Sequence, residues 1–419
     1  MLRKSLPWAW ALLICVAAFA ACDSNEEQTT DGDGDAATED GDTEGETADG
    51  DEDGDADAPP FDDPDAPGPY AVGAINETVA YDDPDVAGRT RELPCTVWYP
   101  AQTGGEAFRY DGWLVRDNVY ADAEPDAGGA PYPLFAFSHG NSGIAEQSWT
   151  LVEYLVAHGF VVISCNHVGN TAGDWDVSTV AQAVHDRPLD VSAAISHALA
   201  KSEAADSRLF GLIDEARIAA GGHSLGGYTT LMVCGGSMHF QAYLTECAED
   251  PSLHICDWLT DYDTSMVKDG AVGDPRVKAG VAYAPAGYGF FAADEPNGLE
   301  AIAIPMLIVG AERDGTCPMD SEVRPIYEAL PGADKRLATL MNAAHMSFTD
   351  FCEMVGGSSE YFAEEGCAPG FATPAEAFAA MDRLTLAFLR RHLDGDARYD
   401  AYLTPVDQRP EYIAVIEGP

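Results

Sequence analysis

One pentapeptide limits what this chain can become. Gly222-His223-Ser224-Leu225-Gly226 lies between two apolar runs, Arg217 to Ala220 and Tyr228 to Cys234. The first reads as the end of a buried strand and the second as the start of a helix with an apolar face. A serine between them sits on a sharp strand-to-helix turn, its side chain lifted above the sheet. Such a turn tolerates only very small neighbours, hence the flanking glycines. The helix that follows aims its positive N-terminal end at the spot where negative charge would gather if the serine attacked a carbonyl. The G-x-S-x-G pattern therefore makes Ser224 a candidate nucleophile, and it demands a base and an acid from the rest of the chain.

The surrounding sequence alternates between two periods. Leu93 to Tyr99, Leu134 to Ser138, Phe160 to Cys165, Val277 to Tyr283, Ile304 to Val309 and Arg336 to Leu340 are short apolar runs bounded by glycine, proline or polar residues. Trp149 to His158, Ala181 to Lys201, Val323 to Leu330 and Ala375 to His392 carry a helical period, with Pro188 kinking or restarting the second. Strands alternating with helices predict a mostly parallel α/β sheet flanked by helices. Ala101 to Pro131 reads as loop. Gly235 to Pro275 is too long for an ordinary connection and reads as a small cap inserted near the site, or else as a plain surface excursion.

A serine hydroxyl needs a base, and that base needs an orienting carboxylate. On a sheet of this kind they follow the serine in the order acid, then histidine, each just past the end of a strand. Past Ile304 to Val309 the chain reads Gly310-Ala311-Glu312-Arg313-Asp314, and past Arg336 to Leu340 it reads Met341-Asn342-Ala343-Ala344-His345. Asp314 and His345 satisfy order and placement together, with Glu312 and Asp320 as competing acids. Of the ten histidines, only His345 meets both conditions. Two N–H donors for a developing oxyanion are expected from Leu225 in the elbow and from Asn141, after the strand Leu134 to Ser138.

The amino end addresses the chain to a compartment. Arg3 and Lys4 precede an apolar run from Leu6 to Ala21, which reaches Phe19-Ala20-Ala21-Cys22, a stretch that resembles a bacterial lipobox with Cys22 as the expected lipidated residue. From Asp23 to about Pro69 the chain is acidic and lacks lysine and arginine, a composition that predicts a disordered, extended tether. Within it, Asp49 to Gly54 copies the front of a calcium loop, but the twelfth position falls on Pro60 rather than glutamate. The expected organisation is a signal peptide over 1–22, a linker over 23–69 and a catalytic domain over 70–419. Eight cysteines remain after Cys15 and Cys22, and disulfides are expected, with Cys247–Cys256 and Cys352–Cys367 as the preferred pairs. No zinc spacing is present, and no metal or organic cofactor is expected. The formal net charge of −49 excludes nucleic acid as a partner, since a phosphate backbone would be repelled.

Taken together, FAFSHGNSG, LVAHGFVVISCNH, GGHSLGGY, IPMLIVGAERDGTCP and AAHMSF resemble the α/β-hydrolase group that contains dienelactone-hydrolase-like proteins. Within it they are most similar to the platelet-activating-factor acetylhydrolases and the cutinase-like polyester hydrolases. The resemblance covers most of residues 70–392. It implies an α/β-hydrolase fold, a Ser224–Asp314–His345 triad, oxyanion donors at Asn141 and Leu225, and hydrolysis of carboxylic esters on a small-molecule or lipid substrate. Two departures stand out. Both relatives place a tryptophan near the pocket where this chain has Ala284-Pro285-Ala286-Gly287-Tyr288, and the polyester hydrolases lack so long an insertion at 235–275. A covered pocket for a smaller ester is therefore expected, with lipase, phospholipase or polyester cleavage as alternatives. A binding module on an inactive hydrolase scaffold is the rival of another class. Tyr288, Phe290 and Phe291 are expected either to wall the pocket or to lie in the core.

Overall fold

The computed structural model describes residues 61–110, 114–251, 256, 259, 263–332, 334–404 and 413–417. The signal segment, Cys22, the calcium-loop half-motif and the linker up to residue 60 lie outside the described residues. Asp62–Pro419 is one compact unit.

Its centre is a sheet that has eleven strands among the described residues: β1 (Ala71–Asp82), β2 (Thr90–Ala101), β3 (Ala107–Tyr110), β4 (Leu114–Ala121), β5 (Tyr132–Ser138), β6 (Val161–Cys165), β7 (Ile213–His223), β8 (Val277–Tyr283), β9 (Met306–Ala311), β10 (Lys335–Leu340) and β11 (Ile413–Glu417). Their spatial order is β11-β10-β9-β8-β7-β5-β6-β2-β1-β4-β3. The block from β6 to β10 is parallel throughout, and β2 and β11 flank it antiparallel. Every residue of β5, β6 and β9 is buried, as strands covered on both faces require. The side-chain period of two sends Leu134 and Ala136 into one core layer and Phe135 and Phe137 into the other. Helices α2 (Val180–Glu203) and α3 (Leu225–Val233) cover the first face, and α1 (Trp149–Ala157) with the C-terminal helix (Pro374–Leu393) covers the second. The fold is the expected α/β-hydrolase arrangement.

Local chemistry explains where elements start and continue. The C-terminal helix opens on a capping box: Thr373 Oγ1 accepts the Glu376 N–H, and the Glu376 carboxylate accepts the Thr373 N–H. Pro188 neither ends nor restarts α2. A proline removes the N–H that would bond the Val184 carbonyl, and the Tyr228 hydroxyl donates to that carbonyl instead, at 3.1 Å.

Three expectations need correction. Residues 101–131 are not all loop, because β3 and β4 form a ribbon in them that pairs onto β1. Their alternation was hidden by interspersed glycine, aspartate and proline. Second, the ordered domain begins before residue 70. Asp62 accepts from Arg390 and pairs with His158 (2.6 Å), Pro64 O accepts from the Tyr154 hydroxyl (2.8 Å), and Asp65 pairs with Arg383 (3.1 Å). Third, Cys234 and Cys317 are free and buried. The preferred disulfides Cys247–Cys256 and Cys352–Cys367 are present, and Cys95–Cys165 joins facing residues of β2 and β6.

The described residues of the 235–275 insertion pack against the sheet domain. They include α4 (Phe240–Glu249) and a two-residue ladder of Ser237–Met238 with Gly270–Ala271. Phe240 and Tyr243 pack on Phe290, and Lys268 reaches Asp85 beyond the end of β1. Phe290 and Phe291 are fully buried, which resolves them as core rather than pocket wall.

Candidate active site

The site is assembled at the C-terminal edge of the parallel strands. Ser224 stands between β7 and α3 with φ 57° and ψ −119°, a left-handed φ that non-glycine residues rarely adopt. That strain is held by four main-chain bonds. The Ser224 N–H donates to Tyr283 O (2.9 Å), while its carbonyl accepts from Gly227 (2.8 Å), Tyr228 (3.2 Å) and Ala286 (3.2 Å). The tightness of the turn explains its glycines. A Cβ on Gly222 would lie 2.4 Å from Gly226 O, and one on Gly226 would lie 1.9 Å from Ser138 O.

Asp314 lies three residues past β9, and His345 five past β10. Asp314 Oδ1 accepts the N–H groups of Thr316 (2.9 Å) and Cys317 (2.7 Å). Its Oδ2 faces His345 Nδ1 at 2.9 Å, and both side chains are buried. Since a carboxylate only accepts, Nδ1 carries the proton and Nε2 keeps its lone pair. Burial pulls the His345 imidazole down. The charge and hydrogen bond of Asp314, with the charge of Glu365, outweigh it and leave the pKa raised. Ser224 shares neighbours with this pair. The ring of His223, the residue before it, lies 4.5 Å from that of His345. Burial drives the Cys317 thiol well upward, so it stays a thiol.

The other candidates fall into supporting places. Glu312 and Asp320 are exposed, and Glu312 accepts the Asn342 N–H (2.9 Å). His223 lies between Gln147 Nε2 (3.2 Å) and His345 O (3.0 Å), and burial keeps it neutral. Leu225 opens α3, so its N–H is a first-turn donor without an acceptor inside the helix. The Asn141 side-chain oxygen accepts from Asn170 Nδ2 (2.8 Å) and Trp175 Nε1 (3.1 Å). The main-chain N–H of Asn141, on the loop just past β5, is a donor it can offer to an oxyanion.

Sequence reasoning missed Glu365. Its Oε2 accepts from Gly315 (3.2 Å) and more distantly from His345 N–H (3.4 Å), so one carboxylate joins the loops that carry Asp314 and His345. Burial pushes its own pKa up. The signal was indirect: Glu365 lies inside the Cys352–Cys367 span, but spacing alone does not say that this span folds back against the loops of Asp314 and His345. Among the described residues, one group has metal-ligand chemistry, Asp83, Asp85 and His185, with donor atoms within 4.8 Å of one another. Arg89 already bonds Asp83 (2.9 Å) and Lys268 bonds Asp85 (2.5 Å), so cations of the chain itself occupy those carboxylates.

An elbow serine, a carboxylate–imidazole pair and two strand-end loops thus meet at one edge of the sheet. A family model described as PET hydrolase-like (PETase) matches residues 266–417, a stretch that holds Asp314 and His345. The chain has an α/β-hydrolase fold and is similar to the cutinase-like polyester hydrolase group. Among curated relatives, a cutinase est1 of Thermobifida alba is 24% identical over 275 residues, which is 65% of this chain and 65% of that protein. A cutinase 1 of Thermobifida cellulosilytica is 22% identical over 275 residues and is covered over 73% of its length. A cutinase of Thermobifida fusca (strain YX), also 22% identical, is covered over 64%. The chain thus spans just under two thirds of the length of the first and third of these relatives.

Proposed function

We propose that this chain is an exported, lipid-anchored serine ester hydrolase that cleaves carboxylic esters through an acyl-enzyme. The observation that carries the reading is the 2.9 Å bond between Asp314 and His345 beside the strained elbow of Ser224. In the proposed cycle, His345 Nε2 takes the Ser224 proton as Oγ attacks the ester carbonyl. Asp314 holds the imidazolium that forms, and the N–H groups of Leu225 and Asn141 receive the oxyanion. Collapse expels the alcohol, protonated by His345, and water then repeats the sequence to release the acid. The cutinase and PET hydrolase-like matches favour an ester carbonyl over other acyl groups. They also support a second reading, polyester cleavage, against which stands the run Ala284-Pro285-Ala286 where a tryptophan would be expected.

The test is hydrolysis of p-nitrophenyl acetate, butyrate and octanoate, with polyester film in parallel, by the domain from Asp62 and by its Ser224→Ala variant. Soluble-ester turnover that disappears in the variant supports the esterase; turnover of film at a comparable rate would move the assignment to polyesters. Inertness of both proteins on every ester would leave the binding-module reading. Anchoring is proposed at Cys22, from the lipobox and the acidic tether that follows. Incorporation of an alkynyl fatty acid into wild type and its loss in Cys22→Ala would support the anchor, and equal labelling of both would refute it. No helix among the described residues is long and apolar enough to cross a membrane.

A further inference from the structure

A buried positive charge sits behind the loop that bears Asn141. Arg187, on α2, is wholly inaccessible to solvent. One terminal nitrogen donates to Gly140 O (3.3 Å) and to the Asn170 side-chain oxygen, and the other donates to Ser138 Oγ (3.2 Å) and to His139 O. Its Nε has no hydrogen-bond partner among the described residues. All four acceptors are neutral. Asp190 acts on Arg187 through charge, but its oxygens accept from Arg91, Tyr81 and His167. Burial pulls the guanidinium down to about 9, so it remains protonated at neutral pH. A buried cation whose hydrogen bonds all go to neutral oxygens is costly.

The placement of those bonds suggests a use. The Gly140 carbonyl accepts from Arg187, from His139 Nδ1 (2.7 Å) and from the Gly143 N–H (3.2 Å). The His139 assignment follows because its Nε2 accepts the His167 N–H (3.1 Å), which leaves the ring proton on Nδ1. The Gly140 carbonyl and the Asn141 N–H belong to one planar trans peptide, so three donors on the oxygen fix where that N–H points. A cation among those donors also polarises the peptide and makes its N–H a stronger donor. Asn170, a second acceptor of Arg187, holds the Asn141 side chain. The other side of the loop meets the nucleophile, since a Cβ on Gly140 would stand 3.5 Å from Ser224 Cβ.

We propose that Arg187 is a positioning residue for oxyanion stabilisation, orienting and polarising the Gly140–Asn141 peptide so that its N–H binds the oxygen that becomes negative during attack. The inference rests on the esterase reading above. The substrate oxygen bears full negative charge only near the transition state, so the contribution appears in kcat rather than in KM.

The experiment compares wild type, Arg187→Met and Arg187→Lys on p-nitrophenyl butyrate, with Ser224→Ala as the control. Each protein's melting temperature is recorded, and its affinity for an alkyl boronic acid, which forms a tetrahedral anionic adduct on the serine, is compared with that for the product carboxylic acid. Arg187→Met is expected to lose kcat by on the order of 10²-fold, the loss typical of one oxyanion donor. KM should stay near wild type, boronate affinity should fall with kcat, and product-acid affinity should hold. Arg187→Lys, which keeps the charge without the fork, should fall between the two and remains the test if the methionine variant does not fold. A folded Arg187→Met or Arg187→Lys with wild-type kcat overturns the proposal, as does a kcat loss with unchanged boronate affinity. A wild type as inert as Ser224→Ala overturns the esterase reading and the role of Arg187 with it.

Discussion

Gly226→Ala puts the geometry of the elbow to a quantitative test. The added methyl would lie 1.9 Å from Ser138 O and 2.7 Å from His139 O, both of them main-chain atoms. A Cβ essentially never approaches a heavy atom closer than 3.0 Å, so the nearer contact must open by at least 3.0 − 1.9 = 1.1 Å. Neither side yields easily. Ser138 closes the fully buried strand β5, and the turn on the other side is tied by the four main-chain bonds of Ser224. The displacement therefore separates the Leu225 and Asn141 N–H groups from their common target. A misplacement of about 1 Å can cost on the order of 10²-fold in rate, which corresponds to about 2.7 kcal/mol of transition-state stabilisation. Steady-state kinetics on p-nitrophenyl butyrate would read this as a fall in kcat with a smaller change in KM. A folded Gly226→Ala protein with wild-type kcat would refute the argument that the contact between elbow and loop sets the oxyanion geometry.

Two further outcomes follow from the buried carboxylates. Glu365→Gln removes a negative charge that helps hold the His345 pKa up. Activity needs the neutral imidazole, so the acid limb of the kcat/KM profile should move to lower pH, and an unmoved limb would contradict the electrostatic role. Asp350, which accepts the N–H and hydroxyl of Thr150 on α1, is pushed by burial up to about 8. A carboxyl whose folded pKa lies above its unfolded value loses stability as pH rises between the two, here from about 4 to about 8. Asp350→Asn should therefore raise the melting temperature more at pH 8 than at pH 5, and an equal change at both would contradict it.

Much of this architecture could be read from the chain because the relevant signals are local. The elbow needs glycine at two fixed positions, and the buried parallel strands need continuous apolar runs, so Ser224 and β5 to β10 were legible. Asp314 and His345 were legible from strand ends and chain order. The ribbon of β3 and β4 was not, because an edge ribbon with polar, glycine-broken alternation resembles loop. Nor were Glu365 and Arg187. Each acts on main-chain groups far away in sequence, and neither residue type nor spacing encodes which carbonyl or N–H a buried side chain will meet. Pro188 shows the same limit: its freed carbonyl is satisfied by Tyr228, forty residues on, and only the packed structure reveals the partner.

The central claim is that Ser224 is the nucleophile, and covalent trapping tests it most directly. The domain would be treated with a fluorophosphonate and the modified peptide sequenced by mass spectrometry, beside Ser224→Ala. One adduct on Ser224, absent from the variant and lost after heat unfolding, is the predicted result. No adduct, or an equal adduct on another residue in both proteins, would contradict the account.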